Sequence, residues 1–131
     1  MIVCSGVSKS YRSQQVLGSV SITVGTGEQV AIMGPSGAGK TTLLHCLAGL
    51  ESPDSGTVSF FGQSWAALAE KERRSARLHR VGLLFQSPDL LTELTVVQNV
   101  SLPLEFCGVS RRQAERRAAE LLSELGLEHV L

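Results

Sequence analysis

Charge in excess of either sign is missing from this sequence: twelve Lys and Arg balance twelve Asp and Glu. That balance removes the basic footprint of a protein that holds nucleic acid through its phosphates. Long apolar runs are missing too. Nothing approaches the ~20 residues that a helix needs to span a bilayer, and the opening Met1-Ile2-Val3-Cys4-Ser5-Gly6 lacks the basic-then-apolar order of a signal peptide. Any membrane role is therefore expected to pass through a partner. Cysteine occurs only at positions 4, 46 and 107; an odd count without metal-ligand spacing excludes a disulfide framework and points to a reducing compartment. Aspartate is scarcer still, with only Asp54 and Asp89, each beside a proline in turn-like sequence. What remains is a chain of 131 residues, 43% hydrophobic, which is one domain with enough apolar side chains for a core.

Hydrophobic periodicity assigns the elements. Ile2 to Val7 and the alternating Val20-Ser21-Ile22-Thr23-Val24 read as strands, and the near-continuous apolar runs Gln29 to Met33 and Val81 to Phe85 read as buried strands. Leu43, Leu44, Leu47 and Leu50 fall at helical spacing from Lys40, with Gly49 as a stop signal. Ser52-Pro53-Asp54-Ser55-Gly56 is a turn leading to a strand over Thr57 to Phe61. Trp65 to Arg80 reads as one helix, its Arg73, Arg74, Arg77 and Arg80 as a solvated face. Thr95 is an N-cap for a helix that Pro103 should end or kink. The tail from Ser110 is amphipathic, with Ala114, Ala118, Leu121, Leu122 and Leu125 on one face.

One segment carries chemistry. Gly34-Pro35-Ser36-Gly37-Ala38-Gly39-Lys40-Thr41, followed by Thr42, fits G-x-x-x-x-G-K-[ST] between an apolar run and a helix. Glycines let successive backbone N–H groups converge on phosphate oxygens. Lys40 adds a movable positive charge for the β- and γ-phosphates, at a helix start that already favours anions. Thr41 offers a hydroxyl to Mg²⁺, an ion that keeps much of its water and bridges phosphate oxygens. His45 and Cys46 are adjacent on a helix and diverge, so they read as packing residues rather than metal ligands; Trp65 and Cys107 are read the same way.

On these residues the chain resembles the ATP-binding subunits of ABC transporters. Tyr11 stands where that family places an aromatic residue to stack on adenine, with Val16 beside the base. Gln86 matches the Q-loop glutamine that contacts Mg²⁺ and the attacking water and senses the membrane partner. Gly49-Leu50-Glu51-Ser52-Pro53-Asp54-Ser55-Gly56 is similar to the family's link out of the P-loop helix, and Phe85 to Leu104 is similar to its lipoprotein-releasing and macrolide-exporter subgroup. The resemblance implies an α/β P-loop NTPase of ABC type: a mostly parallel sheet flanked by helices, with an antiparallel N-terminal β part. Residues 1–131 would form the N-terminal portion of the nucleotide-binding domain, with the P-loop at 34–41, the Q-loop at 86 and a helical subdomain beginning over about 92–131. It further implies ATP and Mg²⁺ as ligands, with Thr41 and Gln86 on the metal. The implied partners are a second ATP-binding subunit and an integral membrane permease, not nucleic acid, at the cytoplasmic face of the membrane. Adenine stacking needs only a π-face, so Tyr11→Phe is expected to preserve ATP binding.

The family's LSGGQ signature, its Walker B Asp-Glu and its switch histidine do not occur in these residues; His129 follows a helix and is not such a histidine. No catalytic residue is therefore assigned, and the expectation is the nucleotide-binding half of an ABC exporter ATPase, silent and poorly stable by itself. Two other readings stand beside it: a fragment of a soluble ABC-type ATPase without a membrane partner, and a non-catalytic nucleotide-binding remnant. The exporter-like stretch after Gln86, with no coiled-coil arm in its place, favours the first.

Overall fold

The computed structural model describes residues 1–87 and 90–130 and divides into two compact units, Met1–Arg77 and Leu78–Leu131. Pro88 and Asp89 lie outside the described residues.

The first unit is built on an antiparallel sheet in the order β2-β1-β3-β4. β1 (Ile2–Tyr11) and β2 (Gln14–Val24) form a hairpin. It is closed by Arg12 and Ser13, whose φ values of 46° and 71° are the left-handed pair that suits the twist of a two-residue hairpin. The β-branched residues that mark the strands also show where the register shifts. Cys4 pairs with Ile22 and Val7 with Val20, so three steps on β1 answer two on β2. That bulge resets the inside–outside phase, and Cys4 and Val7 both enter the core despite an odd spacing. β3 (Ser55–Phe60) pairs with β1, and the short β4 (Gln63–Ser64) with β3.

α1 (Lys40–Leu47) packs against β2 and β3. Leu43, Cys46 and Leu47 of α1 make the core together with Cys4, Val7, Leu17, Val58 and Trp65; each large apolar side chain so buried contributes about 1.5–3 kcal/mol. Trp65, in a short 3-10 turn over Trp65–Ala67, donates its indole N–H to the Leu47 carbonyl at 3.0 Å and stacks on Phe60 with ring centroids 5.5 Å apart. The helix expected from Trp65 to Arg80 is broken after this turn. Leu68 is extended, and α2 (Glu70–Arg80) starts afresh, the Glu72 carboxylate accepting the Ala69 N–H. Two of its arginines also depart from the expected solvated face. Arg77 donates to the Gly49 carbonyl at 2.6 Å and Arg73 to the Ser52 hydroxyl at 3.2 Å, whereas Arg74 is exposed beside Glu70.

The second unit holds α3 (Val96–Phe106) and α4 (Arg111–Glu124), packed on each other. Thr95 caps α3 in a reciprocal capping box with Gln98. Pro103 does not end the helix, which runs on to Phe106. The capping box and the packing against α4 outweigh the one backbone donor that proline removes. Ser101 of α3 and Ala114, Ala118 and Leu122 of α4 are the buried residues, mostly small ones that allow close helix approach; Leu125, placed on that face by periodicity, is exposed.

The two apolar runs expected to be central strands are not paired. Gln29–Met33 and Val81–Phe85 lie outside every strand among the described residues, and Met33 and Leu84 are 89% and 90% exposed. The described sheet is antiparallel throughout, so the parallel part of the expected architecture is not formed in it. A parallel strand owes its stability to a neighbour on each side, and no described strand flanks either run.

Candidate functional site

The glycine-rich loop leads directly into α1. Its first turn closes where the Ala38 N–H donates to the Pro35 carbonyl at 3.2 Å, with Gly37 at φ 79°, a value that costs glycine nothing. Gly39 is the N-cap of α1, with φ 84° and ψ 9°. A Cβ there would stand 2.8 Å from the Val16 carbonyl oxygen and 3.0 Å from side-chain carbons of Val16 and Leu17. The loop's last residue is thus pressed onto β2, and only glycine fits both the conformation and the space.

The start of α1 leaves a row of donors without helical acceptors. The first intrahelical bond is Leu43 N–H to the Gly39 carbonyl at 2.9 Å, so the N–H groups of Lys40, Thr41 and Thr42 precede any acceptor inside the helix. No side chain caps this end, and no acidic residue stands in its first turn. The Lys40 ammonium donates to the carbonyls of Gly34 and Pro35, both at 2.7 Å, which hold it over the loop. Unpaired N–H groups at a helix N-terminus with one ammonium nearby are a donor set of the kind that suits a multiply charged phosphate chain. The donor set also fits Mg²⁺ brought in by such an anion. Thr41 carries an exposed hydroxyl at the loop's end, and among the described residues no cluster of His, Cys, Asp and Glu could hold a metal by itself. A hard cation here would take its ligands chiefly from phosphate and water, as Mg²⁺ does.

Tyr11 ends β1 in the same unit, 42% exposed, and donates its hydroxyl to Oε1 of Glu51. That bond, more than any other influence, raises the phenol above its ordinary pKa, and the Thr42 hydroxyl faces the same oxygen. The Lys9 ammonium lies 5.6 Å from the ring centroid. Val16, expected beside the base, lies against Gly39. The structure therefore brings Tyr11, Val16 and residues 34–42 together in one unit. Gln86 is exposed and belongs to the second unit. Cys46 is buried in the core, and burial raises its thiol and that of Cys4, so neither offers a thiolate. Glu51 and Lys9 are not marked by any motif in the sequence. Their bonds join positions about forty residues apart, and no local pattern reveals such a pairing.

A family model described as ABC transporter matches residues 17–131. The lipoprotein-releasing system ATP-binding protein LolD of Bacteroides thetaiotaomicron is 43% identical over 127 residues, covering 97% of this chain and 58% of its own length. The methionine import ATP-binding protein MetN of Bordetella pertussis is 40% identical over 134 residues, covering 99% of this chain and 37% of its own. Among solved structures, the ATP-binding cassette MJ0796 in a dimeric post-hydrolysis state bound to ADP and Pi superposes with a TM-score of 0.86. It is 33% identical, over 94% of this chain and 56% of that one. The chain thus spans less than two thirds of the length of these relatives.

Proposed function

The chain belongs to the ABC transporter family, and from that premise we propose that it is the nucleotide-binding portion of an ATP-binding subunit that powers a membrane exporter. The observation that supports this reading is the uncapped start of α1, with no acidic residue in its first turn and with the Lys40 ammonium held on the Gly34 and Pro35 carbonyls of the loop leading into it. In this reading residues 34–42 bind the triphosphate of ATP, Thr41 holds Mg²⁺, and the exposed face of Tyr11 receives the adenine, with Val16 at its edge. Mg²⁺, when bound, would neutralise phosphate charge. Lys40, now on the loop carbonyls, would serve the β- and γ-phosphates, and Gln86 would be the residue that offers the metal an amide.

Hydrolysis needs a residue that orients the attacking water, and residues 1–131 contain none of the family's carboxylates for that task. Turnover therefore belongs to a protein in which the signature sequence, the Walker B carboxylates and a second subunit complete the site. A permease at the cytoplasmic face of the membrane would receive the motion. No described helix is long and apolar enough to cross a membrane. Export of lipoproteins is favoured by the LolD relatives. Import is the second reading, favoured by MetN at 40% identity.

Calorimetric titration of the purified protein with Mg-ATP tests the site. Loss of one charged phosphate contact costs about 1.5–3 kcal/mol, so Lys40→Ala should weaken binding roughly ten- to 150-fold. Equal affinities for the parent and a folded Lys40→Ala variant would remove the assignment.

A further inference from the structure

Tyr11 is held more closely than a stacking platform requires. Its hydroxyl is bonded to Glu51, in the turn that follows α1, and the same turn makes four more polar contacts with Lys9 and Ser10 at the strand end. The Lys9 ammonium donates to the Ser52 carbonyl at 2.8 Å and pairs with Glu51 at 3.5 Å and Asp54 at 3.3 Å. The Ser10 N–H donates to Asp54 at 2.7 Å. Lys9 is only 14% exposed and Glu51 26%, so both are fixed among neighbours rather than free in water. With Lys9 over one face of the ring, one face remains for a ligand.

We propose that Glu51 is a positioning residue for base recognition: by accepting the Tyr11 hydroxyl bond it fixes the tilt of the ring and so the face presented to a purine. The inference rests on the reading of Tyr11 as the base platform. It replaces the expectation that Tyr11→Phe preserves ATP binding, because the bond to Glu51 gives the hydroxyl a task that π-stacking alone does not, and it ties the base end of the site to the turn leaving the phosphate-binding helix. A free phenyl ring at the end of a hairpin rotates about two side-chain bonds, and ordering it must be repaid by the ligand; a ring already held by Glu51 spares the ligand that cost.

The test compares affinities for Mg-ATP and for Mg-tripolyphosphate, which lacks the base, on the purified protein. Glu51→Ala and Tyr11→Phe should each weaken ATP binding about three- to tenfold and leave tripolyphosphate unchanged. The double variant should bind ATP about as weakly as the weaker single variant, without multiplied effects, because both remove the bond between Tyr11 and Glu51. Glu51→Gln, whose amide oxygen still accepts from the phenol, should bind within about twofold of the parent. Unchanged tripolyphosphate affinity also certifies that the loop is folded in each variant. Equal weakening of both ligands by Glu51→Ala, or effects that multiply in the double variant, would overturn the proposal. Failure of the underlying reading looks different: Tyr11→Ala would then leave the ratio of the two affinities where it was. If Tyr11→Ala lowers that ratio while Glu51→Ala does not, only the role of Glu51 falls.

Discussion

Gly39→Ala should be far more damaging to the first unit than Gly37→Ala, although both glycines have positive φ in one loop. Their φ values, 84° and 79°, are nearly the same, so the left-handed conformation charges each alanine about 1–2 kcal/mol. Space separates them. A Cβ on Gly37 meets nothing within 4 Å, whereas one on Gly39 lies 2.8 Å from the Val16 carbonyl oxygen. That oxygen belongs to the backbone of β2, which the ladder to β1 holds in place, so it cannot retreat as the end of a long side chain could. Overpacking against fixed atoms adds about 1–3 kcal/mol. The sum is roughly 2–5 kcal/mol for Gly39→Ala against roughly 1–2 for Gly37→Ala, a large share of the 5–15 kcal/mol that typically holds a domain together. The sequence's single tryptophan, Trp65, is buried in the same unit and supplies the probe. Urea unfolding followed by its fluorescence should give a lower midpoint for Gly39→Ala at unchanged slope. Equal midpoints for the two variants, or a lower one for Gly37→Ala, would refute the seating of Gly39 on β2.

Other perturbations bear on the same unit. Trp65→Phe keeps an aromatic face for Phe60 but loses the bond to the Leu47 carbonyl, and should cost about 1–2 kcal/mol by chemical denaturation against about 3–5 for Trp65→Ala. Asp54 is held below its ordinary pKa of 3.8 by the Ser10 N–H and then by Lys9. A depressed carboxyl contributes stability above its unfolded pKa and loses it as pH falls through the folded value. Unfolding midpoints of the parent and Asp54→Asn should therefore differ at about pH 6, and the difference should shrink as the pH falls below the ordinary value of 3.8; a constant difference would contradict the assignment.

What the sequence made legible follows from how locally each feature is encoded. The phosphate loop is contiguous: its glycines, Lys40 and Thr41 declare themselves by spacing, and the helix after it by the leucine periodicity. Thr95 announced the start of α3 as its N-cap in the same way, and the structure adds Gln98 as its capping-box partner. Features that depend on distant chain were hidden. The bulge that lets Cys4 and Val7 share one face depends on pairing with β2, and the tether on Tyr11 depends on a turn forty residues on. Arg73 and Arg77 read as solvated because charge is usually solvated, yet the free carbonyl of Gly49 and the hydroxyl of Ser52 at the end of α1 draw them in. The apolar runs at 29–33 and 81–85 mark the opposite limit. Their composition is that of strands buried on both faces, but a strand is made by its neighbours' N–H and C=O groups as much as by its own side chains. Hydrophobicity therefore identifies segments suited to burial without identifying what buries them. With Met33 and Leu84 almost fully exposed, those two runs are the part of the fold where composition and observed pairing diverge most, and they flank the two family motifs, the loop from Gly34 and the glutamine at 86, whose placement such strands would govern.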